Sequence, residues 1–222
     1  MMAPKISIKG YNFESSDGVI STKVLEAVVV GANPRVSKTW YSDDWSEERE
    51  STTPDCYSLD GIEPSEGSRL PQNDICAPCP QNAWGSRTTP LGVKVKACAD
   101  QKRLALVQAD NTDGEVYLLQ VAPASLKNLN AYQKELSMRG IVPEIARTKI
   151  SFEQNTDYPK LRFSFGGFNS ESAQVSIDKL IGTDEVKIIT GELAVHKGHT
   201  SSAEHYGFAE EDGYTSTQEL GD

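Results

Sequence analysis

Four cysteines, Cys56, Cys76, Cys79 and Cys98, form the pattern C-x19-C-x2-C-x18-C in this chain. Zinc prefers four soft ligands in a tetrahedron, and a C-x2-C turn supplies two thiolates with little strain. The pattern therefore predicts one structural zinc ion held by all four cysteines. Two alternatives stay open. The cysteines could be four reduced thiols, or Cys76 and Cys79 could be a redox pair, although PQNAWGS after Cys79 reads as a loop and such pairs usually open a helix.

The cysteines lie in, or at the end of, a long irregular stretch from about residue 42 to residue 98, which is rich in Ser, Thr, Pro, Asp and Glu. Compact domains rarely contain so long an irregular segment unless something else orders it. A metal ion bound to four cysteines would order it, because the binding energy of a structural metal is also folding energy. We therefore expect an insertion at about 42–98 that zinc holds together.

Regular secondary structure is predicted on both sides of this insertion. Alternation of apolar and polar residues is typical of half-buried antiparallel strands, and apolar spacing at three and four residues is typical of a helix. For the long helix we expect Ser125 as N-cap and Gly140 at C′. In chain order, the predicted elements are strands at 24–30, 35–41, 103–109 and 115–121, a helix over 123–140, strands at 144–153 and 160–168, a short helix over 170–182 and a strand at 185–193.

Five or six short antiparallel strands with one inserted helix are typical of a small closed barrel of the OB-fold type. The sequence therefore predicts a mainly β protein, an OB-fold-like antiparallel barrel with one helix between core strands. Residues 1–197 would form this domain, with the insertion at about 42–98. Residues 198–222 are polar and acidic, and we expect them to be a disordered tail.

The net charge of −10 is unevenly distributed. Residues 201–222 contain six acids and no Lys or Arg, and residues 42–66 contain nine acids against Arg49 alone. The rest of the chain is net basic, which is compatible with an anionic ligand. No apolar run reaches the roughly 20 residues of a membrane helix, and the first residues lack the apolar core of a signal peptide. We therefore expect a cytoplasmic protein without a membrane partner, whose cysteines stay reduced.

Basic and aromatic residues alternate along this net-basic part. Lys and Arg bind the phosphates of single-stranded nucleic acid, while aromatic rings stack on its bases. The ordinary alternative is solvated charge on strand faces, with tryptophans packed over the barrel or the zinc site. The candidate nucleic-acid-binding residues are Arg35, Lys38, Trp40, Tyr41, Trp84, Arg87, Lys94, Lys96, Lys102, Arg103, Arg147, Lys149, Lys160 and Arg162.

The stretch CAPCPQNAWGS…GVKVKACADQKRLALV resembles the single-stranded DNA-binding proteins of phages, and the resemblance covers roughly residues 20–168. It implies an OB-fold that coats single strands during phage DNA replication, recombination or repair. The acidic tail is a candidate contact for replication or recombination proteins, but it ends in Glu-Leu-Gly-Asp, whereas many such tails end in an aromatic residue. The matching positions are Cys76, Cys79, Asn82, Trp84, Gly85, Ser86, Lys96, Ala97, Cys98 and Arg103.

Taken together, these features predict a protein that binds single-stranded DNA largely without sequence preference and is not an enzyme. The chain contains no P-loop, no H-E-x-x-H and no deaminase pattern, and we assign no catalytic residue. Two other functions compete with this prediction. One is a zinc-stabilised structural or scaffold protein of a phage, and the other is a metal-dependent nuclease.

Overall fold

The computed structural model describes residues 4–42, 53–90 and 92–193 and is mainly β in these ranges. The predicted tail and residues 43–52 of the insertion lie outside them. The strands are β1 (Lys5–Lys9), β2 (Asn12–Ser15), β3 (Ser21–Thr22), β4 (Leu25–Ala32), β5 (Ser37–Trp40), β6 (Cys56–Ser58), β7 (Arg87–Thr88), β8 (Lys94–Val95), β9 (Ala99–Gln108), β10 (Tyr117–Val121), β11 (Ala146–Phe152) and β12 (Leu161–Phe168). The helices are α1 (Pro123–Met138), α2 (Glu171–Asp178) and α3 (Asp184–Thr190).

The main sheet has the strand order β12-β11-β4-β9-β10-β1-β2-β3, and β5 and β6 branch from the beginning of β9. All these pairs are antiparallel except β1 and β10, which are parallel. The predicted antiparallel pairing is therefore found among β4, β9, β10, β11 and β12, and the parallel pair involves β1, a strand that was not predicted. No tight turn joins β1 to β10, so the chain connection does not impose an antiparallel arrangement on them.

The sheet curls so that its two ends approach each other through side chains. Phe13 of β2 stacks on Phe152 of β11 with ring centroids 4.6 Å apart. Tyr11 meets Phe152 edge-on at 5.7 Å, and its hydroxyl donates to the Thr156 carbonyl at 2.5 Å. Within the described part of the chain, no main-chain pairing joins β12 to the β2–β3 end. The sheet is therefore a curled half-barrel, which agrees with the prediction of a barrel-like β fold.

Helix α1 fills the concave face of this half-barrel. Leu129, Tyr132 and Leu136 repeat at helical spacing and are buried in one core with Leu119 and residues of the other strands. The Tyr132 hydroxyl lies 2.8 Å from Oγ1 of Thr148, so these two buried hydroxyl groups are hydrogen-bonded to each other. The helix thus holds the two sides of the curled sheet together.

The boundaries of α1 confirm one expectation and correct another. Gly140 has a φ of +67° directly after the Arg139 C-cap, as predicted for C′. Ser125 is not the N-cap, because the helix begins earlier, with Ala122 as N-cap and Pro123 in the first turn. Pro suits that position because the first helical N–H groups have no partner within the helix. Ser125 is buried, and its hydroxyl accepts the N–H of Leu161 at 2.9 Å.

Helices α2 and α3 pack on the outer, convex face of the sheet. Ile177, Val186 and Ile189 share a second core with Val28, Val107 and neighbouring residues of β4 and β9. Gly31 permits this close packing, since a Cβ at that position would lie 2.3 Å from Cγ1 of Val186. Within the described ranges, no helix is long and apolar enough to span a bilayer.

Helix α2 confirms the predicted short helix, whereas the strand predicted at 185–193 is wrong because α3 lies there. The Thr183 side chain accepts the Val186 N–H, Asp184 and Glu185 occupy the first turn, and Gly191 ends the helix at a φ of +86°. These are N-cap, dipole and C′ signals of a helix. In a short segment they outweigh the β-propensity of Val186, Ile188 and Ile189.

Candidate functional site

In its described residues, the cysteine insertion has almost no apolar core. Within residues 53–90 and 92–98, the buried residues are Asp55, Ser58 and the four cysteines. Each cysteine is 8–9% exposed. No Leu, Ile, Val or Phe is buried in these two ranges. Hydrophobic burial therefore does not explain how this segment keeps its shape, and the cysteines occupy the place that a core would take.

Two of the cysteines are positioned by the small sheet formed by β5, β6 and the beginning of β9. Trp40 of β5 is opposite Cys56 of β6, while Thr39 is opposite Ala99 of β9. Cys98 directly precedes Ala99, so Cys56 and Cys98 flank the end of β5 on its two sides. The half-buried Trp40 lines the same cavity as these cysteines, which makes it a packing residue of the cluster.

The other two cysteines lie in a hydrogen-bonded turn. The Cys76 N–H donates to the Ile62 carbonyl at 2.8 Å, and the Cys79 N–H donates to the Cys76 carbonyl at 3.3 Å. A single 3-10 turn over Pro80–Asn82 follows. The Cys98 N–H then donates to the carbonyl of Gln81 at 2.8 Å, which fastens Cys98 to this turn. Two of these main-chain bonds thus join residues that are 14 and 17 positions apart in the chain, Ile62 with Cys76 and Gln81 with Cys98.

All four cysteines line one cavity of about 10 Å³, together with Lys38 and Trp40. This volume holds one water-sized particle and is too small for an organic ligand. All four are free cysteines. In the described residues, no group of three or more His, Cys, Asp or Glu is arranged to hold a metal ion as it stands, so the sulfur atoms would have to draw together around one. The type, number and common cavity of the donors fit zinc.

The electrostatics of the cluster disfavour a redox pair. Burial raises the pKa of Cys98 to about 12, and neighbouring cysteines add to this effect against the opposing charge of Lys38. Burial also raises the pKa of Cys76. A redox cysteine needs a lowered pKa and access to its substrate, whereas Cys76, the first cysteine of the C-x2-C pair, is buried and its pKa is raised. A bound divalent cation would reverse this preference and favour the thiolates.

Two predicted nucleic-acid contacts, Lys38 and Lys96, form hydrogen bonds within the protein beside the cysteines. Nζ of the buried Lys38 donates to Asp100 at 2.6 Å and to Oδ1 of Asn82 at 2.8 Å. Nζ of the half-buried Lys96 donates to the other carboxylate oxygen of Asp100 at 2.9 Å. These bonds connect β5, β9 and the cysteine turn, so the two lysines hold the insertion in position.

Unlike Lys38 and Lys96, Trp84 is exposed to solvent. Its side chain is 75% exposed, although the loop that carries it is held by hydrogen bonds. The Gly85 N–H donates to the Val95 carbonyl at 3.1 Å. The Ser86 hydroxyl donates to the Gln81 carbonyl at 2.9 Å and accepts the Ala97 N–H at 2.8 Å. The loop therefore shares its hydrogen bonds with the cysteine turn, and it presents a large aromatic ring to solvent.

Exposed cations accompany Trp84. Arg87 and Lys94 belong to the adjoining β7–β8 pair, and both are exposed. The Lys94 side chain lies along the Trp84 loop, because a Cβ at Gly85 would be 3.5 Å from its Cδ. Trp84, Arg87 and Lys94 are the predicted contacts that the structure brings together on the insertion, and we call them the Trp84 surface.

The predicted contacts near the beginning of β9 differ in their availability. Arg103 is buried, and its Nε donates to the Ile189 carbonyl at 2.9 Å, so it links β9 to α3. Burial lowers its pKa to about 10. Burial also lowers the pKa of the half-buried Lys102, against the opposing charge of Glu192. Arg35 and Tyr41 are exposed.

The remaining predicted contacts lie on β11 and β12 or directly before β12. Nζ of Lys160 forms an ion pair with Oε2 of Glu153 at 2.7 Å. A longer ion pair joins the Arg147 guanidinium to Oε2 of Glu26 at 3.7 Å. Lys149 and Arg162 are exposed and line an open groove. Sequence reasoning missed two further residues of this groove, Lys23 and Tyr11. No local signal marks them, since only the curl of the sheet brings them to β11.

Comparison of the chain with protein-family models, with curated proteins and with solved structures finds no match.

Proposed function

We propose that this protein binds single-stranded DNA largely without sequence preference and without catalysis, and that it protects the DNA during phage replication, recombination or repair in the host cytoplasm. The observation that carries the proposal is the Trp84 surface. Exposing a large aromatic ring on a rigid loop forgoes the hydrophobic gain of burying it. A ring that stacks on bases, beside cations that bind phosphates, accounts for the exposure.

The strand order supports an OB-fold as the finer description of the curled sheet. In this proposal β4, β9, β10, β11 and β12 are the five barrel strands, because they lie in the order β12-β11-β4-β9-β10 with α1 inserted between β10 and β11. The cysteine insertion then occupies the loop between the first two strands. That loop is one of the two that bind oligonucleotides in OB-folds.

Zinc is the cofactor of this proposal, with Cys56, Cys76, Cys79 and Cys98 as its ligands. The support is the burial of four soft donors around one small cavity, in a segment whose described residues bury no Leu, Ile, Val or Phe. Zinc with four thiolates has no open coordination position, so its role is structural. The positive charge of Lys38 beside the cavity would offset the net negative charge of such a centre. Docking of replication or recombination proteins on the acidic tail stays a prediction.

Titration of a fluorescently labelled oligo-dT with the protein, followed by anisotropy, tests the function. Trp84→Ala should weaken binding by about 1–3 kcal/mol, or about 5- to 150-fold, because one stacking platform is lost. Trp84→Phe should retain most of the affinity. Met138→Ala is the matched control, since Met138 is 72% exposed at the end of α1, and it should change neither affinity nor zinc content.

Each outcome of this titration decides one point. Wild-type protein that does not bind oligo-dT at low salt, even without residues 201–222, would reject the proposed function. A Trp84→Ala variant with wild-type affinity and intact zinc would remove Trp84 from the binding surface. Steep weakening of wild-type binding with rising salt supports contacts to phosphates.

A further inference from the structure

The outer face of the curled sheet is divided into a covered half and an open half. OB-folds bind oligonucleotides on the outer face of their second and third strands, which in the proposed assignment are β9 and β10. Here α2 and α3 cover that area, because Ile177, Val186 and Ile189 pack onto Ala105 and Val107. A nucleic-acid strand cannot lie across a surface that two helices occupy, so it requires another path.

The open half begins at the other end of β4 and contains a groove of about 980 Å³. It runs between the β1–β2 turn and the β11–β12 turn, and we call it the β11 groove. Its lining residues are Tyr11, Lys23, Val24, Lys149, Ser151, Phe152, Glu153, Gln154, Asn155 and Arg162.

The β11 groove is positively charged. Lys149 is opposite Ser164, and Ser151 is opposite Arg162, so Lys149 and Arg162 are diagonal neighbours on one face. Residues in this relation lie about 7–8 Å apart. Both side chains and that of Lys23 are exposed, and none of the three forms an ion pair with another residue of the described ranges.

The acid that lines the groove is already neutralised. Glu153 pairs with Lys160 at 2.7 Å and accepts a hydrogen bond from Asn128 at 2.8 Å. The next acid along the face is Glu26, which is opposite Lys149 in register and lies 3.7 Å from Arg147. The cations of the groove therefore outnumber its acids. Arg162 acts electrostatically on Glu153 and Lys149 is opposite Glu26, but within the described ranges neither cation is within ion-pair distance of a carboxylate.

An aromatic ring lies beside these cations. Tyr11 is 43% exposed, and its contacts with Phe152 and Thr156 hold it in place. The side-chain amides of Gln154 and Asn155 add hydrogen-bonding groups. A chain of phosphates with splayed bases is the ligand that uses this combination of cations and an immobile ring.

We propose that the β11 groove binds the sugar-phosphate backbone of single-stranded DNA, with Lys23, Lys149 and Arg162 on phosphates and Tyr11 against a base. This inference rests on the proposed function and extends it to a second contact surface. The insertion that carries Trp84 follows the far end of β4, whose eight residues span about 25 Å at 3.3 Å per residue. A bound strand therefore contacts two separate surfaces, on either side of the area that α2 and α3 cover.

The first test compares two double variants that remove equal charge. Lys149→Ala with Arg162→Ala should weaken binding of a long oligo-dT about tenfold or more at low salt. It should also reduce the slope of log K against log salt by about 1.4, since each phosphate contact on a single strand contributes about 0.7. Lys127→Ala with Lys134→Ala removes two exposed cations of α1 and should change neither quantity.

The second test needs no variant. Acetylation of the wild-type protein, mapped by mass spectrometry, should show Lys23 and Lys149 protected when oligo-dT is bound, with Lys127 and Lys134 reacting as before. Equal affinities for the two double variants, together with unprotected Lys23 and Lys149, would overturn the inference. If wild-type protein binds oligo-dT and Trp84→Ala weakens it, that result rejects the groove alone. Wild-type protein that binds no oligo-dT rejects the proposed function as well.

Discussion

The curled sheet and the cysteine insertion are ordered by different physical means. Residues such as Phe13, Leu119 and Leu136 are at most 1% exposed and share one continuous apolar core with α1. The insertion buries four cysteines, Asp55 and Ser58 in its described ranges. Hydrophobic burial stabilises the sheet in proportion to area, whereas the insertion depends on a few specific polar links. A single substitution can remove one of these few links completely. We therefore expect the insertion to be the region that a single substitution can disorder.

Cys79→Ser should have the largest effect, because it removes one ligand of the proposed zinc centre. Structural zinc contributes about 10–16 kcal/mol of binding energy in small zinc domains, so its loss should leave the insertion without order. We expect about one zinc per wild-type chain and substantially less in the variant. Hydrogen exchange should quicken across residues 53–98, while β9 to β12 keep their protection.

Metal analysis and hydrogen exchange on the same samples give the result. Wild-type protein that carries no zinc after metal-free purification and reconstitution, yet keeps a protected insertion, would reject the metal centre. The four cysteines would then be a cluster of buried thiols that packs under Trp40.

Leu136→Ala is the complementary change in the sheet region. Leu136 is 1% exposed in the core, and removing its side chain should lower the free energy of unfolding by about 2–5 kcal/mol. Urea denaturation measures this, with Met138→Ala on the same helix as an exposed control that should stay within about 0.5 kcal/mol of wild type. Zinc content should not change. If Leu136→Ala released zinc as Cys79→Ser does, the two regions would not be independent.

Asp55→Asn should have the smallest effect, confined to one link of the insertion. The Asp55 carboxylate accepts the Ser42 N–H and hydroxyl, each at 2.8 Å, and a bond from Arg69. These bonds hold its pKa well below the usual value. Because the folded-state pKa is lowered, the stabilisation is complete above the ordinary value of about 4 and is lost as the pH falls further.

Protection of the Ser42 amide from hydrogen exchange measures this link. The amide should exchange faster in Asp55→Asn than in wild type at pH 7, and the difference should narrow below about pH 4. Equal protection at pH 7 would show that the carboxylate does not hold the start of the insertion.

Local sequence signals predicted those elements that neighbouring residues define. The Val-rich segment at 24–30, the hairpin of β9 and β10, and the Gly140 terminus of α1 all depend on residues close in the chain. The β1–β2 hairpin is an exception, because it is local, with Ile6 to Lys9 opposite Ser15 to Asn12, and it was still not predicted. Only the tertiary structure shows that β1 also pairs with β10 across more than a hundred residues. The strand predicted at 185–193 is wrong because helix caps at Thr183 and Gly191 outweigh β-propensity.

In the candidate site, too, some features follow from the local sequence and others only from the tertiary structure. The sequence by itself determined the four candidate ligands, since the count and spacing of the cysteines are properties of residue type and position. It also determined which residues of β11 and β12 alternate between faces. Only the tertiary structure decided which cations are available, because partners distant in the chain engage them. Asp100 holds Lys38 and Lys96, and the Ile189 carbonyl holds Arg103, whereas the curl of the sheet leaves Lys23, Lys149 and Arg162 together in an open groove.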